Sequence, residues 1–324
     1  MPEAIVLQTH GGPEILQVTE VEVGHPGPGE IRIRQTAIGV NFHDVYVRSG
    51  LYRTLSLPGI PGIEAVGVVE ETGPDVTGLH LGRRVGYVTG EYGAYAQARV
   101  LPASWAVTLP DALSDIAAAS VMLKGLTACM LLRRVHVVRP GETILVHAAA
   151  GGVGQLLCSW AKHLGARVIG TAGSGEKAEI ARRCGADHVI LYRDEDVPAR
   201  VSEITNAEGV AAAYDAVGRD TFLGSLASLS YFGMLVNYGQ ASGPVDPIAP
   251  AALAAKSNML ARPILFHYVR DRSSLDAMRR ELFAVVEAGV VRPETGLVLP
   301  LRDAAEAHRA IESRRVAGAI VLIP

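Results

Sequence analysis

The chain has 324 residues, of which 49% are hydrophobic and 19% are charged, and its formal net charge is −3. This length is enough for two ordinary domains, each with a large core. The weak negative charge argues against a general nucleic-acid or membrane-surface binder, which normally carries a basic excess or a basic face. No apolar run reaches the roughly 18 residues of a membrane span, and no signal peptide is recognised, so we expect a soluble cytoplasmic protein.

The first 110 residues are dominated by short apolar runs that alternate with polar residues. EAIVLQ, EIRIRQTAIGV, AVGVVEETG and RRVGYV each have this pattern, and glycine-containing turns separate them. Alternation with a period of two is typical of strands that are buried on one face. The pattern predicts an antiparallel, partly barrel-like domain.

From about Gly141 onward, buried strands and amphipathic helices alternate. The segments that we expect to be strands are ETILVHAA, ARVIGTAG, HVILY, VAAAYDAVG and GMLVNYG. In the helix after the first of them, one apolar stripe is formed by Val153, Leu156, Leu157, Trp160 and Leu164. This alternation predicts a doubly wound parallel sheet with helices on both faces.

The tail after about Arg262 contains two amphipathic helices, SSLDAMRRELFAVVEAGV and AAEAHRAIESRR, and a final strand, GAIVLIP. It is too short to form a domain of its own, so we expect it to return and complete the first one. The predicted domains are therefore residues 1–124 with 266–324, and residues 125–265. A cleft between them is the expected place of the site.

The segment VHAAAGGVGQ, residues 146–155, is similar to a phosphate-cradling glycine loop, but Ala149 replaces the first glycine. Gly151 would let the backbone approach a pyrophosphate, and Gly154 would let the helix pack closely on the sheet. A strand precedes the loop, a helix follows it, and the next strand ends at the expected distance. We therefore predict a dinucleotide site rather than a plain tight turn.

The end of the second strand indicates which dinucleotide is bound. NAD enzymes usually carry Asp or Glu there to bind the ribose hydroxyls, whereas this chain has Ala172, Gly173 and Ser174, with no acid before Glu176. The ammonium of Lys177 is suited to a 2′-phosphate, and Ser174 adds a donor. These residues favour NADPH; the alternative is a solvated lysine at the start of a helix.

Several segments together resemble the zinc-independent quinone oxidoreductases, the zeta-crystallin-like branch of the medium-chain dehydrogenase/reductases. They are NFHDVYVRSGLY (41–52), MLKGLTA (122–128), HAAAGGVGQLLCSWAKHLGA (147–166) and AYDAVGRDTF (213–222). The resemblance extends from HGGPEIL near the start to the final LIP. It implies an α/β protein with a GroES-like, β-rich catalytic domain and a Rossmann nucleotide-binding domain.

The resemblance also implies a set of NADPH contacts. These are Thr127, Gly151, Gly152, Val153, Gly173, Ser174, Lys177, Tyr192, Asn237, Gly239, Phe266 and Arg314. Lys177, Tyr192 and Arg314 would surround the 2′-phosphate, since two positive charges and a hydroxyl suit a dianion. Either Arg314 or its neighbour Arg315 fills the last of these positions. The family further implies a homodimer formed through the nucleotide-binding domains.

Two positions that bind zinc in the zinc-dependent relatives carry no ligand here. Asn41 stands in the place of a Cys, and Gly62, Ile63 and Glu64 stand in the place of Gly-His-Glu. The three cysteines, widely spaced and without a CxxC pair, predict buried reduced thiols rather than a disulfide framework or a zinc lobe. No metal is expected.

Without a Lewis acid, the acceptor has to be electrophilic by itself, and a conjugated quinone meets that need. The candidate catalytic residues are Asn41, Tyr46 and Tyr52, as donors to the oxygen that gains charge. For the two tyrosines, the alternative is ordinary packing, and Asp44 is expected to be structural.

The leading hypothesis for function is an NADPH:quinone oxidoreductase that acts on a quinone or another conjugated acceptor. The alternative is an NADPH-dependent enone, alkenal or acyl-CoA double-bond reductase, since that reaction uses the same fold and needs no zinc. RNA binding, or a purely structural role of the kind attributed to relatives, belongs to a third class. The weak net charge and the lack of interleaved aromatic and basic residues disfavour RNA.

Overall fold

In the computed structural model, which describes residues 1–324, short strands fill the first third of the chain, and strands and helices alternate after it. The strands are β1 (Glu3–Val6), β2 (Gln17–Glu20), β3 (Glu30–Val40), β4 (Glu64–Thr72), β5 (Arg84–Val88), β6 (Ala98–Pro102), β7 (Val107–Thr108), β8 (Thr143–Val146), β9 (Arg167–Ala172), β10 (His188–Leu191), β11 (Val210–Asp215), β12 (Leu229–Asn237), β13 (Met259–Ala261), β14 (Thr295–Pro300) and β15 (Ala319–Ile323). The helices are α1 (Phe42–Ser49), α2 (Asp115–Met130), α3 (Gly152–His163), α4 (Gly175–Arg183), α5 (Val197–Ile204), α6 (Phe222–Ala227), α7 (Leu265–Tyr268), α8 (Arg272–Glu287) and α9 (Ala304–Glu312).

The chain divides into two compact units. The first comprises Met1–Leu123 and Pro293–Pro324, and the second comprises Lys124–Arg292, so one boundary falls inside α2. The sequence places the other boundary after residue 265, whereas the structure keeps α7 and α8 in the second unit. The reason is packing, because a Cβ on Gly125 of α2 would lie 2.4 Å from Leu282 Cδ1 of α8.

The first unit is built on a seven-stranded sheet. Along the sheet the order is β14-β15-β3-β4-β5-β7, and β6 also pairs with β3. All of these pairs are antiparallel except β14 with β15. The alternation in EIRIRQTAIGV places Ile31 and Ile33 in the core, where Leu301 and Ile320 from the C-terminal segment join them. The predicted β-rich, mostly antiparallel domain is confirmed.

The second unit is built on a six-stranded sheet in the order β10-β9-β8-β11-β12-β13, and every pair in it is parallel. Successive strands run outward from β8 in one direction and then outward from β11 in the other. The predicted doubly wound sheet is therefore confirmed, and its point of reversal lies between β8 and β11. In such sheets, ligands bind at the carboxyl ends of the strands beside that point.

One helical stretch in the chain, Asp115–Val135, is long and apolar enough to cross a membrane by length and composition. It comprises α2 and the π-helical turn Leu131–Val135 that continues it. Within its most apolar window, 72% lies buried inside the protein. No uninterrupted apolar run marks this segment in the sequence, because Ser120, Lys124 and Thr127 are scattered through it, and its burial is what the core helix of a globular protein shows.

Candidate active site

The glycine loop of the second unit follows β8 and leads directly into α3. Gly151 is the N-cap of α3, and the first turn of the helix begins with Gly152 and Val153. Because Gly151 has no side chain, it does not cap the N–H groups of that turn. A Cβ on Gly154 would lie 2.2 Å from the carbonyl oxygen of Ala148, and a Cβ on Gly151 would lie 3.1 Å from the same atom. Because helix N-termini attract anions, this tight turn suits a pyrophosphate.

The backbone of the loop explains why an alanine is tolerated in the first glycine position. Ala149 has no left-handed φ, is fully buried, and donates its N–H to the carbonyl oxygen of Thr171 at 3.0 Å. Its neighbour Ala148 does lie in the left-handed region, with φ +51°. A non-glycine residue pays about 1 kcal/mol for that conformation, so the strain in this loop sits one residue before the missing glycine.

The carboxyl ends of β9 and β10 bring together four predicted cofactor residues. Ser174 is the N-cap of α4, and its Oγ accepts the N–H of Lys177 at 3.4 Å. Tyr192 follows β10 and lies against Gly173, where a Cβ would be 2.6 Å from the tyrosine hydroxyl. The group combines one cation and two hydroxyls at the position where an NAD enzyme would carry an acid.

A buried polar network connects the glycine loop with β11. His147 Nε2 lies 2.9 Å from Ser225 Oγ, which donates to Asp215 Oδ2 at 3.0 Å. His147 Nδ1 lies 3.2 Å from Thr171 Oγ1, which also accepts the N–H of Ala148 at 3.3 Å. Asp215 Oδ1 accepts two backbone N–H groups of the following loop, at 2.8 and 3.0 Å. The network fixes the loops after β8 and β11 to one another.

The predicted contacts after β12 belong to a hydrogen-bonded turn. Asn237 Nδ2 donates to the carbonyl oxygen of Gly239 at 3.1 Å, and Arg262 Nη1 donates to the carbonyl oxygen of Asn237 at 2.9 Å. A Cβ on Gly239 would lie 2.6 Å from the carbonyl oxygen of Ala216. Asn237 therefore shapes this turn, and its contact with NADPH stays a prediction.

Three further predicted cofactor contacts come from other elements. Thr127 is half-buried on α2, and Phe266 is half-buried on α7. Arg314 belongs to the first unit, where it follows α9 with φ +55° and donates its N–H to the carbonyl oxygen of Ile311 at 3.2 Å. Its approach to the 2′-phosphate, like the contacts of the other two, stays a prediction.

In the first unit, the candidate catalytic residue Asn41 lies between β3 and α1 and is buried. Its Nδ2 donates to Glu64 Oε1 at 2.8 Å, and Glu64 Oε2 accepts the N–H of Leu123 at 2.9 Å. A Cβ on Gly39 would lie 2.2 Å from Glu64 Oε1, so this glycine makes room for the carboxylate. Ile63 is buried as well. One former ligand position thus holds an amide bound to a carboxylate, and the other holds an apolar side chain.

The other two candidate catalytic residues pack against each other. The ring centroids of Tyr46 and Tyr52 are 5.1 Å apart at an interplanar angle of 63°, and the N–H of Tyr52 donates to the carbonyl oxygen of Tyr46 at 2.9 Å. Asp44, expected to be structural, is fully buried and accepts the N–H of Asn41 on Oδ2 at 2.8 Å. The N-cap of α1, the helix itself and the turn after it therefore carry all three candidates.

Tyr92, which lies in none of the segments singled out in the sequence, joins this group through His43. The rings of His43 and Tyr92 are stacked with centroids 5.9 Å apart, and His43 Nε2 lies 2.9 Å from the hydroxyl of Tyr92. His43 also meets Tyr52 edge-on, with centroids 5.6 Å apart. Burial lowers the pKa of His43 to about 4, so its imidazole is neutral at pH 7. Nowhere in the chain do three His, Cys, Asp or Glu residues form a group that could hold a metal.

Comparison with known proteins adds the following findings. The alcohol dehydrogenase GroES-like domain matches residues 27–111, and the zinc-binding dehydrogenase family matches residues 152–278. The chain is 44% identical to a 2-haloacrylate reductase of a Burkholderia species, over 100% of this chain and 99% of that protein. It is 45% identical to a quinone oxidoreductase of Pseudomonas aeruginosa, over 100% of both proteins. A crystal structure of Escherichia coli quinone oxidoreductase complexed with NADPH superposes with a TM-score of 0.96 at 42% identity, covering 99% of this chain and 100% of that one.

The geometry of the glycine loop makes a prediction about stability. Gly154→Ala should lower the free energy of unfolding by about 1–3 kcal/mol, because its methyl group overlaps a backbone oxygen that cannot move without shifting α3. Gly175→Ala, at the start of α4, is the matched control, since a Cβ there meets nothing within 4 Å. Urea denaturation of both variants measures the difference. Equal midpoints for the two variants would contradict the close approach at Gly154.

Proposed function

Since this chain belongs to the quinone oxidoreductase family of the medium-chain dehydrogenase/reductase superfamily, we propose that it oxidises NADPH and passes the reducing equivalents to a quinone. The observation that carries the proposal is the identity of 42–45% with three bacterial quinone oxidoreductases over the whole chain. The parallel sheet with its glycine loop, and the β-rich unit with its buried Asn41, supply the two halves that such a reaction needs.

The second unit would hold the cofactor at the carboxyl ends of its strands. Its fit to NADPH rests on the tight glycine turn at the start of α3 and on the cluster of Gly173, Ser174, Lys177 and Tyr192. Lys177 offers a positive charge to a 2′-phosphate. Between the end of β9 and Glu176 there is no carboxylate that would repel the phosphate. When bound, NADPH supplies a hydride from its nicotinamide ring. The remaining predicted contacts, Arg314 among them, belong to the same proposal.

In the first unit, α1 would provide the acceptor with its polar contacts. Tyr46 and Tyr52 each carry a phenol hydroxyl, which would donate to the quinone oxygen that gains charge. Asn41 would assist from the start of the helix, where its Nδ2 donates to Glu64 Oε1 at 2.8 Å and to the carbonyl oxygen of Gly39 at 3.4 Å, so a contact with the acceptor would replace the longer of these bonds. We propose that this occurs without zinc, since the side chains at Asn41 and Ile63 replace the ligands of zinc-dependent relatives.

A second candidate function is supported by one specific relative. The 2-haloacrylate reductase is as similar to this chain, at 44% identity, as the quinone oxidoreductases are. A 2-haloacrylate is a conjugated alkene with a carboxylate, so its reduction belongs to the class of double-bond reductions. The same fold and the same metal-free site would serve that reaction.

We further propose that the protein is a soluble, cytoplasmic homodimer that binds neither membrane nor nucleic acid. The proposed dimer is supported by the exposure of an edge strand of the parallel sheet. β13 lies at the edge of that sheet, and its residues Met259 and Leu260 are exposed. An exposed apolar edge strand invites pairing with a second chain. Two observations support a soluble protein that binds neither membrane nor nucleic acid. They are the burial of the apolar helix over Asp115–Val135 and the net charge of −3.

The choice between the two candidate reactions predicts an order of acceptors. With NADPH, simple 1,4-benzoquinones should give a kcat/KM at least roughly tenfold above that for 2-chloroacrylate or an α,β-unsaturated ketone. The loss of nicotinamide absorbance measures the rate, and heat-denatured protein is the control. A faster reaction with 2-chloroacrylate would show that an alkene, and not a quinone, is the preferred acceptor. No reaction with any acceptor would overturn both functions.

The 2′-phosphate site predicts a selective loss of cofactor affinity. Lys177→Ala should weaken NADPH binding by roughly tenfold to a hundredfold, because one charge-assisted hydrogen bond is lost. NADH binding should change less than about twofold, since NADH lacks the phosphate. Arg183→Ala, which removes a charge from the other end of α4, is the matched control. Fluorescence titration measures the affinities of the wild type and both variants for each cofactor. An equal loss for both cofactors would refute the assignment.

The edge strand predicts the oligomeric state. Leu260→Glu should convert the dimer to a monomer at micromolar concentration, because it places a charge in the proposed seam. Val137→Glu, at an exposed apolar residue between α2 and β8, should leave the dimer intact. Light scattering on a sizing column gives both masses. A wild-type monomer, or a dimer for Leu260→Glu, would exclude this seam.

A further inference from the structure

A chain of hydrogen bonds through the interior of the first unit connects α9 with the start of α1. Arg48 Nη1 lies 3.3 Å from His308 Nδ1, and His308 Nε2 lies 3.0 Å from the hydroxyl of Tyr95. Tyr95 donates to Asp44 Oδ2 at 3.2 Å, and the same oxygen accepts the N–H of Asn41 at 2.8 Å. We call these five residues the α9–α1 chain. His308, Tyr95 and Asp44 are 0% exposed, so water does not compete for these bonds.

The direction of each bond follows from the chemistry of arginine. A guanidinium has donors but no acceptor, so Arg48 donates and His308 Nδ1 accepts. The proton of a neutral His308 is then on Nε2, which donates to the oxygen of Tyr95. Burial and the charge of Arg48 lower the pKa of His308 to about 3, so the ring stays neutral at physiological pH. The single hydrogen of the Tyr95 hydroxyl is thereby directed to Asp44.

The opposite tautomer would reverse the middle of the α9–α1 chain. With the proton on Nδ1, His308 would present a donor to the donor of Arg48. Tyr95 would then have to give its hydrogen to His308 Nε2, and Asp44 would lose it. Arg48 is held against this change, because its Nη1 and Nη2 donate to the two carboxylate oxygens of Glu312 at 2.9 and 2.8 Å. Its Nε donates to the carbonyl oxygen of Gly11 at 3.1 Å.

The end of the α9–α1 chain lies at the group to which the acceptor is assigned above. Asp44 receives the hydrogen of Tyr95 and the N–H of Asn41 on one oxygen, so its orientation fixes the first turn of α1. The side chain of Asn41 continues from there to Glu64. A fully buried carboxylate needs such donors, since a missing one leaves an unsatisfied charge in the interior.

We propose that His308 is a positioning residue for the acceptor site: its Nε2–H tautomer, set by Arg48, orients Tyr95 and Asp44 and thereby holds Asn41 and the first turn of α1 in place. The inference rests on the proposed function, which puts the acceptor beside α1. His308 itself touches neither cofactor nor acceptor in this proposal. Its contribution is a fixed direction of hydrogen bonding.

Nitrogen NMR of protein labelled with ¹⁵N-histidine tests the tautomer directly. The His308 ring, identified by the signals that disappear in His308→Gln, should show an unprotonated Nδ1 and a protonated Nε2 between pH 6 and pH 8. A proton on Nδ1, or titration of the ring in that range, would overturn the proposal. This measurement needs no substrate, so its result is independent of whether the protein reduces quinones.

Kinetics on two tyrosine variants test the positioning role. Tyr95→Phe removes the hydroxyl that passes the hydrogen bond to Asp44, and kcat/KM for the preferred acceptor should fall roughly tenfold. The affinity for NADPH should stay within about twofold of wild type, since the cofactor residues of the second unit are untouched. Tyr87→Phe is the matched control, because Tyr87 is also fully buried in the first unit, but its hydroxyl bonds to Gln35 and Arg99, which are outside the α9–α1 chain.

Histidine variants separate positioning from mere filling of space. His308→Gln keeps one acceptor and one donor and should retain most of the activity, whereas His308→Leu should lose as much as Tyr95→Phe. Amide exchange at Asn41 should become faster in His308→Leu and in Tyr95→Phe, and remain unchanged in Tyr87→Phe. If Tyr95→Phe and His308→Leu lose only thermal stability and keep wild-type kinetics and exchange, the α9–α1 chain is structural and the proposal fails. If the wild type reduces an alkene rather than a quinone, the same comparison is made with that acceptor.

Discussion

The close approach of α3 to the loop after β8 is the constraint on which the candidate cofactor site depends. The carbonyl oxygen of Ala148 occupies the space of a Cβ on Gly154, so the first turn of the helix packs directly on that loop. The uncapped first turn then lies at the carboxyl edge of the sheet, beside its point of reversal. The bonds of His147 and Asp215 hold the neighbouring loop to that turn. A side chain at position 154 would push the start of the helix away from that oxygen.

The central strands of the parallel sheet were predictable because they are buried on both faces and are therefore continuous apolar runs, such as TILV in β8. β13 was not predictable, since it has only three residues and exposes two of them. The helix α8 was predictable from its apolar stripe, but a stripe does not say which partner it meets. Its contact with Gly125 joins residues that are far apart in the sequence, and that contact assigns α8 to the second unit.

The candidate site divides in the same way into local and distant parts. Ser174 and Lys177 follow directly from the end of β9, because a cap and a first-turn residue are only three positions apart. Tyr92 and His308 reach the group around α1 through tertiary packing, for which a single sequence contains no signal. The role of Asn41 was only partly visible in the sequence. Its amide stands where zinc-dependent relatives have a ligand, which the sequence shows. Its hydrogen bond to the buried carboxylate of Glu64 is visible only in the structure.

The short C-terminal segment contributes more to the first unit than its length suggests. It supplies β15, which pairs with β3, and α9, which carries His308 and Glu312. Glu312 neutralises the buried Arg48 at one end of α1, and His308 directs a hydrogen bond toward Asp44 at the other. Buried charges are tolerated only when such partners are present. The first unit therefore needs the end of the chain to hold α1, and the residues proposed to contact the acceptor depend on elements more than 250 positions away in sequence.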